Sequence, residues 1–160
     1  MPDLFTAQHI TRKTVLQLAA PRDRVFPLFT PLGEKHWAAG WEPRIYHPQD
    51  GTPEVGAVFV TTRSGEAETT WVITELDSAQ ARISYVRVTP DSHVAAIGIH
   101  CAEGPAGAST VSVTYTLTAL GAAGNAYLGE LTDAKYQEWI GSWGTAINHY
   151  LLHGQLLAHH

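Results

Sequence analysis

A run of ten residues at positions 34–43, EKHWAAGWEP, concentrates side chains that could bind a ligand or do chemistry. It holds Trp37 and Trp41, two glutamates and a histidine, together with a glycine and a proline that argue against one long regular element. Aromatic rings at this density usually enter a core or contact a ligand, and binding residues concentrate in loops. The two tryptophans are therefore predicted either to contact a ligand or to fill a gap in the core.

Four side chains could transfer a proton to or from a bound molecule: Glu34, His36, Tyr85 and His100. Carboxylates and imidazoles are common general acids and bases, provided that they converge on the reacting group. The structural alternative for Glu34, as for Glu42, is a surface charge, and for the histidines it is exposure or a satisfied hydrogen bond. The sequence does not show whether His100 points inward, because small residues lie on the same face of its strand and isoleucines lie on the other. No catalytic residue is assigned on this basis.

Metal and cofactor chemistry find little support in the sequence. Of the nine histidines, His149 and His153 have the i, i+4 spacing of a metal pair, but no glutamate follows the first of them. His159 and His160 end the chain and carry no weight. Phosphate-binding and dinucleotide-binding glycine motifs are absent, and GSWG at 141–144 does not match the nucleophile elbow of serine hydrolases. We expect no metal and no cofactor.

Composition limits the partners and the compartment. The 160 residues carry 10 Lys and Arg against 15 Asp and Glu, a net charge of −5 with no basic cluster, which argues against nucleic acid. Cys101 is the only cysteine, so an intramolecular disulfide is impossible and a reducing compartment fits. The sequence shows no signal peptide and no run of roughly 18 apolar residues. A single cytoplasmic domain over 1–160 without a membrane span is predicted.

The elements that must position these residues follow from hydrophobic periodicity. A strand at 9–20 precedes a short helix at 21–29, which Pro27 should kink, and a helical turn around 33–39. From residue 55 onward the period is two, with short turns between the segments, which indicates an antiparallel meander. The pattern turns helical after 121–124, and from about Asp133 an amphipathic helix runs to near the C-terminus. The predicted meander strands are 55–63, 68–76, 81–88, 93–101 and 109–120.

Large aromatic residues recur at positions that this arrangement would turn inward. Phe59, Trp71, Tyr85 and Tyr115 lie near the middles of their strands. Trp139 and Trp143 lie one turn apart on the terminal helix. For each ring alone, ordinary core packing is the alternative. Together they predict an aromatic-lined interior in an α+β fold, where one sheet packs its apolar face against one helix.

Four segments in order resemble proteins of the START-like or SRPBCC superfamily, which includes the birch pollen allergen and polyketide cyclase/dehydrase families. They are AAPRDRVFPLFTP at 19–31, HWAAGW at 36–41, GAVF at 56–59 and the tryptophan-rich terminal helix. The resemblance implies a helix-grip fold, with a curved antiparallel sheet of about six strands around a long C-terminal helix and two short helices after the first strand. It also implies a hydrophobic cavity between sheet and helix, with the 34–43 segment as its entrance or lid.

The favoured function is binding of a small hydrophobic or aromatic molecule, lipids included, in this cavity. One alternative is a cyclase or dehydratase that uses acid and base residues in the same cavity, and another is a regulatory or chaperone-associated interaction module. The oligomeric state, monomer or dimer, stays open. The predicted ligand-binding residues are Trp37, Trp41, Phe59, Trp71, Tyr85, His100, Tyr115, Trp139 and Trp143.

Overall fold

The computed structural model describes residues 5–62 and 67–157, which form one antiparallel sheet and three α-helices. The predicted turn at Ser64 and Gly65, the end of the predicted strand at 63, and the terminal His159 and His160 lie outside the described residues. The strands are β1 (His9–Leu18), β2 (Arg44–His47), β3 (Val58–Thr61), β4 (Thr69–Asp77), β5 (Arg82–Thr89), β6 (His93–Glu103) and β7 (Ser109–Ala119). The helices are α1 (Arg22–Val25), α2 (Ala122–Glu130) and α3 (Asp133–His153), with 3-10 turns at Phe26–Phe29, Gly33–His36 and Pro105–Gly107.

The sheet has seven strands in the order β1-β7-β6-β5-β4-β3-β2, and all neighbours are antiparallel. The predicted meander is confirmed, and the long β7 alternates buried with half-exposed residues along its whole length. The strand count exceeds the predicted six because β2 was missed. It is a four-residue edge strand with little burial, so it carries almost no periodic signal.

The two short helical segments after β1 are present, and proline chemistry sets their form. α1 is a single turn that ends at Val25, and a 3-10 turn with Pro27 in its first positions continues to Phe29. Proline lacks the N–H that an α-helix would need there, which accounts for the break. The second segment is a 3-10 turn that ends at His36, three residues earlier than predicted.

The long terminal helix α3 has well-defined ends. The side chain of Thr132 accepts a hydrogen bond from the backbone N–H of Lys135 at 3.2 Å, which caps the N-terminus. Gly154 terminates the helix in the left-handed conformation with φ of 70°, a geometry that glycine adopts without strain. The predicted apolar stripe is confirmed by the buried residues of α3, which are Tyr136, Ile140, Gly144, Ile147 and Leu151.

Hydrogen bonds fasten α3 along strand β1. Gln137 Nε2 donates to the carbonyl of Lys13 at 2.9 Å, and Asn148 Nδ2 donates to the carbonyl of Gln17 at 3.1 Å. The amide oxygen of Asn148 also accepts from the backbone N–H of Ala19 at 2.8 Å. The helix is therefore held at one side of the sheet, and space is left between it and the central strands β4, β5 and β6.

Candidate functional site

A cavity of about 1130 Å³ fills the space between α3 and the sheet. Pockets for drug-sized ligands span roughly 300–1,000 Å³, so this cavity is large enough for such a molecule. Exposed residues of its lining, such as Gly40, Pro90 and Lys135, mark where it opens to solvent. The two layers thus enclose the aromatic-walled volume that the sequence predicted.

Seven of the nine predicted ligand-binding residues line this cavity. The loop after the second 3-10 turn contributes two of them, strands β4, β5 and β7 contribute one each, and α3 contributes two. They are Trp37, Trp41, Trp71, Tyr85, Tyr115, Trp139 and Trp143.

Phe59 lies one layer behind the cavity wall. It is 1% exposed, and its ring stacks on Trp71 at 5.5 Å between centroids and 12° between planes. The ring of Trp41 meets both of these rings edge-on, at 6.0 Å from Phe59 and 5.4 Å from Trp71. Phe59 therefore supports two wall residues without reaching the cavity itself.

His100 does not line the cavity, and its assignment to the site is corrected here. In β6 the residues at 93, 95, 97, 99 and 101 are buried against the cavity or the core. His100 has the opposite parity and lies on the outer face of the sheet, beside Ser112 of β7. One residue of offset in a strand is enough to move a side chain to the other face.

The tryptophans of the 37–41 loop are fixed by hydrogen bonds from their indole nitrogens. Trp37 Nε1 donates to the carbonyl of Leu28, and Trp41 Nε1 donates to the carbonyl of Pro31, each at 2.7 Å. Trp37 is only 3% exposed, so it packs into the core while one side borders the cavity. Each ring is thus packed against the protein and also borders the cavity, and their contact with a ligand stays a prediction.

Of the four candidate proton-transfer groups, three are unsuited to proton transfer in the cavity. His36 is exposed and stacks on Tyr150, with 5.2 Å between ring centroids. His100 lies on the outer face. Tyr85 lines the cavity, but its hydroxyl donates to the carbonyl of Phe29 at 2.6 Å and burial raises its pKa.

Glu34 is the fourth candidate, and it lies in the cavity rather than on the surface as expected by default. The residue is 9% exposed, and its carboxyl accepts no side-chain or backbone hydrogen bond from the described parts of the chain. Burial raises the pKa of Glu34 well above its ordinary value, which favours the neutral acid. Glu42, by contrast, is exposed and lies among the rim residues.

A polar group that the sequence analysis missed lies on the sheet wall opposite the helix. The guanidinium carbon of Arg87 lies 5.6 Å from the ring centroid of Trp71 and 5.6 Å from that of Tyr115. At these distances the cation is attracted by the faces of both rings. Arg87 therefore bridges the aromatic residues of β4 and β7 across the intervening strands.

Arg87 also determines the tautomer and the protonation state of His93. Its Nη1 lies 2.9 Å from His93 Nε2, and because a guanidinium only donates, that nitrogen must be the unprotonated acceptor. The proton is then on Nδ1, which donates to Ser92 Oγ at 2.7 Å. Burial, with a smaller contribution from the charge of Arg87, lowers the pKa of His93 to about 4. The ring stacks on Tyr127 with 4.5 Å between centroids.

A signal for these two residues was present in the sequence. Arg87 lies on the same face of the strand 81–88 as Ile83 and Tyr85, so the sequence placed a charged residue on the inward face. His93 shares the parity of the inward Ile97 in the next strand. Had the facing of these strands been known, His93 would have replaced His100 as the cavity histidine.

Metal ligands are not gathered at this site. Within 5–62 and 67–157, no three side chains of His, Cys, Asp or Glu come together in a way that could hold an ion. His149 and His153 lie near each other on α3, with 4.5 Å between ring centroids, and neither lines the cavity.

Comparison with known proteins relates the chain to several solved structures. Norcoclaurine synthase from Thalictrum flavum aligns with a TM-score of 0.68 at 15% identity, over 92% of this chain and 88% of that chain. Its complex with dopamine and hydroxybenzaldehyde aligns at 0.66 and 14% identity, over 91% and 88%. Ara h 8.0201 aligns at 0.65 and 18% identity, over 91% and 99%.

DynU16, a protein from the dynemicin biosynthetic locus, aligns with a TM-score of 0.59 at 17% identity. The match covers 91% of this chain and 48% of that chain, so this chain spans about half of DynU16. No protein-family model matches the sequence, and no curated protein does.

These likenesses at low identity establish the fold. The chain has the helix-grip fold shared by norcoclaurine synthase and Ara h 8, and the resemblance to START-like proteins is confirmed at that level. None of the helices described is both long and apolar enough to cross a bilayer.

Proposed function

We propose that this protein binds a small hydrophobic or aromatic molecule in the cavity between the sheet and α3. The observation that supports this most directly is the composition of the walls, where five tryptophan and tyrosine rings of the sheet and helix face one volume of about 1130 Å³. Such rings bury a large area and have polar edges that a ligand can contact. The rings are Trp71, Tyr85, Tyr115, Trp139 and Trp143.

The rigidity of the walls is a second argument for binding. The indole of Trp71 donates to Thr61 Oγ1 at 2.9 Å, and those of Trp37 and Trp41 donate to backbone carbonyls. A preformed wall loses little conformational entropy when a ligand arrives, which favours affinity. The complex of norcoclaurine synthase with dopamine and hydroxybenzaldehyde shows small aromatic molecules bound to a protein of this fold.

Binding can be tested with the neutral dye N-phenyl-1-naphthylamine, whose fluorescence rises in apolar surroundings. We expect saturable enhancement with the wild type. The double variant Ile97→Trp with Ala146→Trp introduces a ring from each wall and should weaken binding at least about tenfold. The matched control, Ala96→Trp with Ala126→Trp, places the same rings at exposed positions that do not line the cavity.

The control should bind the dye like the wild type. Circular dichroism and thermal melts verify that both double variants fold. Absence of any saturable signal with the wild type, or equal binding by the two double variants, contradicts the proposal.

A second candidate function is acid and base catalysis at Glu34. The specific observation in its favour is a cavity carboxyl with no hydrogen-bond partner in the described chain and with its pKa raised by burial. Such carboxyls serve as general acids and bases near neutral pH. Among the described residues, no second titratable side chain is hydrogen-bonded to Glu34, so binding remains the first proposal.

Proton transfer can be tested with 2-tetralone in heavy water. A cavity base would remove a proton from the carbon next to the carbonyl and return a deuteron, which proton NMR records as loss of signal. We expect the rate above buffer to disappear in Glu34→Gln and to persist in Glu42→Gln at the rim. No acceleration by the wild type counts against catalysis. The interaction-module hypothesis stays a prediction.

A further inference from the structure

Among the described residues, Arg87 is the cation of the inner cavity wall and has no counter-ion, whereas Lys135 lies at the exposed rim. Arg87 is half-buried in the wall, and the ion pairs formed by the described residues involve Arg22, Arg44 and His47 instead. Cations removed from bulk water are usually paired with a carboxylate. The absence of such a partner in 5–62 and 67–157 leaves a positive charge facing the ligand space.

The described groups in contact with this cation are uncharged. His93 accepts from Arg87 and is held as the neutral imidazole, and the faces of Trp71 and Tyr115 flank the guanidinium. Glu34, the one buried carboxyl that the described residues contribute to this cavity, has its pKa raised by burial and so favours the neutral acid. The described groups in contact with Arg87 therefore do not neutralise its charge, and the exposed carboxylates of Glu42 and Asp91 at the rim form no ion pair with it among the described residues.

The guanidinium of Arg87 is held in one orientation and still has N–H groups that can donate to a ligand. It has five N–H groups, and His93 takes one of them. The ring of Tyr127 stacks on His93, and Ser92 binds its other nitrogen, so the acceptor that orients Arg87 is itself fixed. A planar fork held in this way suits two parallel hydrogen bonds to a carboxylate.

We propose that Arg87 recognises a carboxylate on the bound molecule, so that the ligand combines an aromatic or apolar body with an acidic group. This inference rests on the proposed function, because it specifies the ligand of the same cavity. The rings of the walls take the body, and the guanidinium at the inner face of β5 takes the acid. The acidic group then supplies the counter-ion that the described chain lacks.

The proposal predicts a preference between two molecules of nearly identical shape, 2-naphthoate and 2-naphthamide. Calorimetric titration of the wild type at pH 7 should show the acid binding about 10- to 100-fold more tightly, since hydrogen bonds to charged groups are the stronger ones. Equal affinity for the two compounds overturns the proposal without any variant.

Substitutions test whether Arg87 is the source of the preference for the acid. Arg87→Met keeps an apolar stem against Trp71 and should reduce the preference for the acid to below about threefold, while Arg87→Lys should retain part of it. Arg82→Met is the matched control, because Arg82 lies on the same strand but is exposed on the outer face. The control should keep the wild-type preference.

The outcomes distinguish failure of this inference from failure of the proposed binding function on which it rests. If the neutral dye binds but Arg87→Met leaves the preference for naphthoate intact, the acid is held elsewhere, for example at the rim by Lys135, and the inference is overturned. If neither the dye nor the naphthalenes bind the wild type, the proposed function itself fails. Circular dichroism and a thermal melt verify that Arg87→Met is folded.

Discussion

Arg87 Nη1 donates a hydrogen bond of 2.9 Å to Nε2 of His93, and this contact fixes the imidazole as the neutral Nδ1–H tautomer. Protonation of the ring would place two donors face to face and would also bring a second positive charge beside the guanidinium. The contact thus couples the charge of the cavity wall to pH, which makes the first prediction.

Stability should fall as the pH is lowered through the titration of His93. The folded protein holds this group neutral down to about pH 4, because its pKa is lowered to about 4 by burial and by Arg87, whereas the unfolded chain takes up a proton near 6.5. Between these values the unfolded state binds more protons, so the free energy of unfolding decreases as pH falls. We expect a loss of about 2–3 kcal/mol relative to His93→Gln between pH 7 and 4.

Urea unfolding of both proteins across this pH range measures the difference. The ring can also be followed directly by NMR. A titration midpoint near 6.5 for His93 in the folded protein would contradict the tautomer and its cause.

Glu34→Gln should stabilise the protein at neutral pH. Burial raises the pKa of Glu34, so the folded state binds the proton more tightly than the unfolded state and stability declines as pH rises above the unfolded value. The amide removes this penalty at similar volume. Thermal melts at pH 7 should show a higher Tm, by about 2–4 °C per kcal/mol recovered. The exposed Glu42→Gln should change little, and a lower Tm for Glu34→Gln would show that the carboxylate is stabilised.

Gly124 permits the close approach of α2 to the turn that precedes His93. A Cβ at this position would lie 1.7 Å from the carbonyl oxygen of Ser92, which already accepts from the N–H of Leu120 at 2.7 Å. Gly124→Ala should therefore destabilise the fold by at least about 2 kcal/mol.

The matched control for that substitution is Gly129→Ala on the same helix. Its nearest atom beyond the chain neighbours is Gln8 Oε1 at 4.0 Å, so the alanine has room. It should stabilise by about 0.5–1 kcal/mol through helix propensity. Chemical denaturation measures both, and similar effects of the two substitutions would show that the helix is not seated as described.

Cys101 should resist thiol reagents in the folded protein. It is fully buried in the core, and burial raises the pKa of its thiol to about 12. Thiolate is the reactive form, so both access and charge state are unfavourable. Reaction with Ellman's reagent should be at least about 100-fold slower than in urea, since opening of the fold limits it. Rapid native labelling would contradict this burial.

The order of elements could be predicted because each has its own period. The inward rows of β7 and of α3 repeat every two and every three to four residues, and those rows carry the large aromatic residues. The same rule identified the aromatic walls of the site. Strand β2 escaped because four residues with one half-buried side chain give no period to detect.

The polar part of the site could not be predicted from the same patterns. In β6 small and apolar residues occupy both faces, so the alternation does not say whether the set with His93 or the set with His100 points inward. Pairing with β5 and β7 resolves it, and that pairing is a long-range property. The burial of Glu34 likewise depends on how a 3-10 turn docks, which composition alone does not encode.

The amide side chains of Gln137 and Asn148 have a consequence beyond anchoring α3. Strand β1 is an edge strand of the sheet, and its outward backbone N–H and C=O groups could otherwise pair with a strand of another polypeptide. Gln137 and Asn148 occupy those groups at Lys13, Gln17 and Ala19. The helix that closes the ligand space therefore also occupies part of this edge and hinders the addition of another strand to it, whereas the opposite edge is Arg44–His47.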